Sequence, residues 1–201
     1  MAGGFRLRTV RKDDEEVCKR IWLIGIMEDL PRLWWKHNSR QPGFLLVCFI
    51  LVFVGYYCES MLLGFAAALS WIYYIKMRAK WGNAFYVASR KDMDAISEIY
   101  RERFIVAESQ ATGEILGTAC YQTFVENYTH WNGEKLPENC WELFSLSVKP
   151  AARRLGLGKL LLEEVEKRAR IDGADLFFTA SVCNHPATSF YTRNGYKVVL
   201  G

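Results

Sequence analysis

Residues 141–171 read WELFSLSVKPAARRLGLGKLLLEEVEKRARI, and this stretch decides the fold. Residues 141–148 alternate as a strand does, and Lys149-Pro150 closes them. A glycine-containing turn, 153–158, follows. Residues 159–171 then carry Leu160, Leu161, Val165 and Ala169 on one helical face, with Glu163, Glu166, Lys167 and Arg170 outside. The segment Arg153-Arg154-Leu155-Gly156-Leu157-Gly158 therefore lies between a strand and a helix N-terminus. The first N–H groups of a helix have no partner within it, and the helix dipole makes that end positive. Together they make a cradle suited to a pyrophosphate. Gly156 and Gly158 let a phosphate approach the backbone with no side chain in the way, and Arg153, Arg154 and Lys159 can add charge. Taken alone, a G-x-G at this place reads equally well as an ordinary helix-start turn.

Toward the C-terminus the pattern continues. Gly173 ends the helix, residues 175–181 (DLFFTAS) read as the next strand, and 186–193 form a short helix stopped by Gly195. Residues 196–200 read as a last strand. Strand, helix and strand in this order imply a right-handed parallel crossover. Toward the N-terminus, residues 103–109 and 115–124 read as two strands joined by a tight turn at Thr112-Gly113, and 126–139 as a polar, aromatic loop. Residues 85–88 are expected as a strand and 92–101 as a short helix. At the start of the chain, 5–11 read as a short strand. Asp13 or Asp14 can cap a helix that runs to about Leu30, where Pro31 stops it.

Between these parts lies an apolar run, residues 43–75, 33 residues with one charge, Glu59. As one straight helix it would be about 50 Å long, against a hydrocarbon core of about 30 Å. Splitting at Glu59-Ser60 gives two short pieces, 43–58 and 61–75, the pattern of a tight helical hairpin. Gly55, Gly64 and Ala66-Ala67-Ala68 offer surfaces for close helix approach. Arg32, Lys36 and Arg40 precede the run, Lys76, Arg78 and Lys80 follow it, and Trp34, Trp35, Trp71, Tyr73, Tyr74 and Trp81 lie near its ends. The expectation is a membrane anchor in the lipid bilayer with both ends on the cytosolic side. The bland alternative is a buried helical pair. The sequon Asn127-Tyr128-Thr129 points the other way, since a glycan there requires a lumenal C-terminal half.

Composition adds bounds. The 201 residues are 51% apolar with a net charge of +4, enough for one core and some extra apolar material. No basic block or recognition motif argues for nucleic acid. Six cysteines are scattered without a C-x-x-C pair, which fits a reducing compartment. His37, His130 and His185 form no ligand spacing with one another or with cysteine, so no metal is expected.

The spacing R-x-x-G-x-G, between a strand and a long amphipathic helix, resembles the acyl-CoA pyrophosphate motif of the GCN5-related N-acetyltransferase superfamily. Asn184-His185-Pro186-Ala187, Phe190-Tyr191 and Gly195-Tyr196 resemble its second signature, N-x-x-A-x-x-x-Y-x-x-x-G-[FY], at every anchor. The apolar hairpin makes the chain resemble the camello-like branch of membrane-bound transferases, which act on cysteine S-conjugates, aspartate or protein lysines. The resemblance implies an α/β fold, a mixed and largely antiparallel sheet flanked by helices. It also implies three regions: 1–41 as first strand and helix, 42–80 as membrane hairpin, and 81–201 as acetyl-CoA-binding core. Leu146, Ser147 and Val148 would offer backbone groups to the acetyl carbonyl and the pantetheine arm. Arg153, Arg154, Leu155, Gly156, Leu157, Gly158 and Lys159 would hold the pyrophosphate, and Asn184 the pantetheine arm. Tyr191 would protonate the leaving thiolate, with packing on the sheet as its structural alternative. Glu142 is the best-placed carboxylate to deprotonate the amine, directly or through water; a solvent-facing strand glutamate is its alternative.

Transfer is direct in this superfamily, so Cys183 needs no catalytic role. Two departures stand out: the branch usually continues with another strand beyond the equivalent of 196–200, and commonly has glycine where Arg154 stands. The implied activity is transfer of acetyl from acetyl-CoA to a primary amine, a small amino acid or an S-substituted cysteine, at the endoplasmic reticulum or another internal membrane. Protein lysine is the alternative acceptor, and a CoA-binding membrane protein without turnover is the alternative from another class.

Overall fold

The computed structural model describes residues 4–39, 42–123, 130–131, 134–135, 139–178 and 185–197. These fall into two compact units, one of residues 1–26 with 90–201 and one of residues 27–89.

The first unit is built on a five-stranded sheet of order β1-β2-β3-β6-β7. Its strands are β1 (Phe5–Thr9), β2 (Phe104–Ser109), β3 (Ile115–Thr123), β6 (Cys140–Val148) and β7 (Asp175–Phe177). β1 through β6 pair antiparallel and β6 pairs parallel with β7. The sheet is therefore mixed and largely antiparallel, as expected. The parallel pair is joined by α5 (Leu157–Ile171), whose Leu157, Leu161, Leu162, Val165 and Ala169 are buried against the sheet. A helix striped in this way gains most of its stability from that burial, about 25 cal/mol per Å2. The other face of the sheet is built from Cys18, Ile21 and Trp22 of α1 (Glu15–Ser39), with Ile96 of the short α4 (Ile96–Ile99) and Phe104. Arg8 of β1 ties the first strand down, donating to Asp14 and to Glu108.

Several elements differ from the sequence reading. α1 passes through Pro31 and ends at Ser39. A proline removes one backbone bond at a cost of about 3 kcal/mol, and a helix of 25 residues keeps the rest. Residues 85–88 lie in α3 (Met61–Ser89) instead of a strand, the local β preference having been overridden by the helix already running. The segment 92–101 breaks into a 3-10 turn at Lys91–Asp94, α4, and a second turn at Arg101–Arg103. Within the expected loop 126–139, β4 (His130–Trp131) and β5 (Glu134–Lys135) pair as a short ribbon. Asn127 and residues 198–200 of the expected last strand lie outside the described residues.

In the second unit the apolar run forms α2 (Pro42–Tyr57) and the first part of α3. Gly55 lies against Gly64: a Cβ on Gly55 would stand 2.5 Å from the Gly64 Cα. The expectation of a membrane-spanning anchor is overturned, because no described helix is long and apolar enough to cross a membrane. α2 has 16 residues, about 24 Å against the roughly 30 Å needed. α3 is longer, but Lys76, Arg78 and Lys80 follow its apolar part too soon. The bilayer as partner, the internal-membrane location and the topology derived from them fall with it.

Candidate active site

β6 carries the local irregularity that shapes the site. Tyr121 pairs with Leu143 and Cys120 with Ser145, which leaves Phe144 as an extra residue on β6. This is a β-bulge. Before it Trp141 and Leu143 face α5; after it Leu146 and Val148 do, while Ser147 lies against Gly25 of α1. Glu142 and Phe144 face away from α5, so the bulge re-aims the second half of the strand.

Among the described residues β6 pairs with β7 from Cys140 to Glu142, opposite Asp175 to Phe177. From Leu143 to Val148 β6 has β3 on one edge. Strand geometry turns alternate backbone amides toward the other edge of β6. Three elements meet at the far end of β6. A Cβ on Gly158 at the start of α5 would lie 3.5 Å from the Phe190 ring of α6 (His185–Arg193) and 4.0 Å from Val148.

The glycine turn begins α5 as expected. Gly156 is the residue before the first helical turn, at φ 82°, and no side chain caps the helix. A Cβ there would meet nothing within 4 Å, so the space over the turn is open. Arg154 also has positive φ, 67°, which costs a non-glycine residue about 1 kcal/mol. Arg153, Arg154, Leu155 and Lys159 are exposed, and Leu157 is buried in the core. Arg153 Nε donates to the Val148 carbonyl, 3.2 Å, tying the turn to the end of β6. Open space, free first-turn amides and exposed cations fit a pyrophosphate.

Tyr191 of α6 stacks on Phe178, with ring centroids 3.5 Å apart, and meets Phe190 and Tyr196 edge-on. Burial pushes its hydroxyl up to about 12. Tyr196 holds the end of α6, its hydroxyl donating to Glu166 at 2.8 Å. Phe178 follows Phe177, the partner of Glu142. Tyr191 therefore lies on the α5 side of the sheet and Glu142 on the other side. Gln122, directly across from Glu142 on β3, donates Nε2–H to Glu142 Oε2 at 3.0 Å. Asn184 lies outside the described residues, as does Cys183.

On the Glu142 side, the Arg90 guanidinium stands 5.2 Å from the Phe144 ring and 5.7 Å from the Trp22 ring. It donates to Asp92, which also accepts from the Tyr100 hydroxyl. Desolvation pushes the Asp92 carboxyl up, but the bonds from Arg90 and Tyr100 outweigh it and hold the group below the usual range. Neither Gln122 nor this cluster was found from the sequence. The register that places Gln122 opposite Glu142 exists only once β3 and β6 are paired. The thiols of Cys18, Cys120 and Cys140 are pushed up by burial, which makes them poor nucleophiles. No group of residues able to hold a metal occurs among the described residues.

A mixed sheet whose parallel crossover helix starts at an uncapped glycine turn is the architecture of an acyl-CoA transferase. The acetyltransferase (GNAT) family model matches residues 69–196, and the chain belongs to that family of acetyl-CoA-dependent N-acetyltransferases. Two solved structures agree on the fold. A GNAT acetyltransferase of Staphylococcus aureus superposes with a TM-score of 0.55 at 13% identity, covering 98% of this chain and 87% of its own. The aminoglycoside N-acetyltransferase AAC(6')-Iy, solved with CoA, gives 0.55 at 13% identity, covering 100% and 93%. Naa20 of Chaetomium thermophilum, solved with a bisubstrate analogue, is 28% identical over 58% of this chain, at a TM-score of 0.45; the match spans 57% of that protein. No curated protein matches the chain significantly.

Proposed function

We propose that the protein transfers acetyl from acetyl-CoA directly to the primary amine of a small amino acid or S-substituted cysteine. The observation that supports this is the glycine turn that starts α5, with open space over Gly156, at the end of the strand that carries Glu142 and close to the helix that carries Tyr191.

Acetyl-CoA supplies an acetyl group activated as a thioester. The turn from Arg153 to Lys159 holds its pyrophosphate through the first amides of α5 and the exposed cations. Backbone amides of Leu146 and Val148, on either side of Ser147, line the pantetheine arm and polarise the acetyl carbonyl, and Asn184 is the proposed further partner of that arm. Glu142, on the α1 side, takes the proton that the substrate ammonium must lose before it attacks. Tyr191, on the α5 side, donates a hydrogen bond to the departing sulfur. The reading of the acceptor as an amino acid rests on the sequence resemblance, since Arg90 beside the bulge is already paired with Asp92 and Arg103 is turned onto the Ile99 carbonyl at 3.1 Å.

The test is thiol release from acetyl-CoA by the purified protein against a panel of amino acids, S-substituted cysteines, lysine peptides and other amines. The control is a Gly156→Glu/Gly158→Glu double variant, which fills the cradle. Release with an amino acid or S-conjugate that vanishes in the control supports the proposal. Release with lysine peptides alone would replace the acceptor. No release with any amine, despite stabilisation by CoA, would leave a binding protein.

A further inference from the structure

We infer that Glu166 of α5 is a positioning residue for this reaction, holding the Tyr191 hydroxyl at the departing sulfur by way of Tyr196. The inference rests on the reading of Tyr191 as the donor to that sulfur.

The last turn of α6 makes one rigid piece of Tyr191 and Tyr196. Gly195 stands at φ 91°, a conformation that L side chains rarely adopt, and turns the chain back over the helix end. The Tyr196 N–H then donates to the Tyr191 carbonyl at 3.1 Å, and the Gly195 N–H to the Thr192 carbonyl at 3.1 Å. The Asn194 N–H also donates to the Tyr191 carbonyl, at 3.0 Å. The rings follow the backbone. Tyr196 meets Tyr191 edge-on with centroids 6.1 Å apart, and both contact Phe178, at 5.0 Å and 3.5 Å. A shift of Tyr196 therefore carries Tyr191 with it.

The Tyr196 hydroxyl ties this piece to α5, donating to Glu166 Oε1 at 2.8 Å. Ring contacts allow small slides at little cost, whereas a hydrogen bond at the tip of a ring weakens steeply when it is bent. Burial and the Glu166 carboxylate push the Tyr196 hydroxyl above its ordinary range, so it keeps its proton and goes on donating. Glu166 differs from its neighbours on α5. Glu163 and Glu164 pair with cations one turn away on the same helix, Lys159 and Arg168, while Glu166 is half-buried and reaches off the helix.

The consequence is functional. α5 begins at the glycine turn proposed to hold the pyrophosphate, and further along it carries the anchor of Tyr191. One helix thus sets the distance between the anchored end of acetyl-CoA and the hydroxyl that meets its sulfur. A displacement of about 1 Å at such a group can cost about a hundredfold in rate. Glu166 exchanges no proton and touches no substrate.

The experiment measures kcat and KM for acetyl-CoA with the best amine of the panel. It compares the native protein with Tyr191→Phe, Tyr196→Phe, Glu166→Met, Glu166→Gln and the double variant Tyr191→Phe/Tyr196→Phe, each assayed well below its melting temperature. Tyr196→Phe keeps the ring and loses the bond to Glu166; it and Glu166→Met should each lower kcat by about tenfold with KM for acetyl-CoA unchanged. Glu166→Gln, which still presents an oxygen to the hydroxyl, should stay within about threefold of native. With Tyr191 already phenylalanine there is no hydroxyl left to position, so adding Tyr196→Phe should cost nothing further. A large loss in Tyr191→Phe, with Tyr196→Phe and Glu166→Met each losing less than about twofold, overturns the inference alone. A Tyr196→Phe loss that repeats in full on the Tyr191→Phe background shows that the tie serves the fold, and this also overturns it. A loss below about twofold in Tyr191→Phe overturns the reading of Tyr191, and the inference falls with it.

Discussion

Replacing Tyr191 with phenylalanine isolates one oxygen atom. The ring contacts survive the change: the stack on Phe178, and the edge contacts with Phe190 and Tyr196, all involve carbon faces that phenylalanine shares. The melting temperature should therefore move by no more than about 2 °C. What is lost is the hydroxyl, which burial pushes up to about 12. An ordinary thiol ionises near 8.5, so handing a full proton to the departing thiolate is uphill by about 3.5 units, about 5 kcal/mol. A hydrogen bond to the charged sulfur avoids that cost and contributes about 1.5–3 kcal/mol. Outright protonation of the thiolate by Tyr191 is the competing outcome. Tyr191→Phe should then lower kcat by about 10- to 150-fold, with KM for acetyl-CoA unchanged. The native profile should stay flat on the alkaline side until about pH 10, since the hydroxyl keeps its proton there. Stopped assays of thiol release at saturating acetyl-CoA across pH 6–10 measure both. A loss under twofold would refute a role at the sulfur. A loss above about a thousandfold, with a native alkaline limb near pH 8.5, would refute the hydrogen-bond account in favour of full transfer.

Four further outcomes follow from the geometry. Gly156→Ala should destabilise the protein by about 1 kcal/mol through its φ of 82° alone, because nothing stands within 4 Å of the added Cβ; differential scanning fluorimetry with and without CoA checks this, and also the expected loss of CoA protection. Arg8→Met should cost about 3 kcal/mol, since it leaves Asp14 and Glu108 half-buried beside each other without their cation; urea melts measure it. The same pair sets an acid dependence. Desolvation pushes Asp14 up, but the bonds from Arg8 and from the Arg11 N–H hold it below its ordinary value, so its contribution is present above about pH 4 and lost as pH falls through the folded value. Melts between pH 2 and 5 should show a steeper acid decline in the native protein than in Arg8→Met. Finally, Gly55→Val should force α2 and α3 apart, which limited proteolysis within residues 27–89 would detect while CoA binding persists.

How much of this could be seen in the linear chain depends on how local each feature is. The turn at Gly156, the stripe of α5 and the short helix holding Tyr191 are set by neighbours within a few residues, and each stands within about two residues of its expected place. The long-range features were another matter. Gln122 meets Glu142 across 20 positions, and Arg90 reaches Phe144 and Trp22 from distant parts of the chain, so no spacing rule could join them. The apolar run was misjudged for a physical reason. The division near Glu59-Ser60 falls where it was read, but each piece was credited with a membrane role that α2, at 16 residues, is too short for and that α3 loses by running on into Lys76, Arg78 and Lys80. The bulge left a trace that went unread. Apolar residues fall on 141 and 143, then on 144, 146 and 148, a change of parity that simple alternation does not produce.

That change of parity has a bearing on how the protein can vary. A strand keeps time in twos, and β6 inserts one extra beat at Phe144, so its two halves are locked half a cycle out of step. Losing any single residue from 143 to 145 would restore an even rhythm and still leave Glu142, Leu146 and Val148 on the sides they now occupy. The bulge therefore absorbs a one-residue change that a regular strand would pass on to every residue beyond it. The fold should tolerate a deletion at 143–145 better than an insertion there, which would turn Leu146 and Val148 away from α5. A scan of single-codon deletions and insertions through 141–148, read by melting temperature, would show that asymmetry centred on the extra beat.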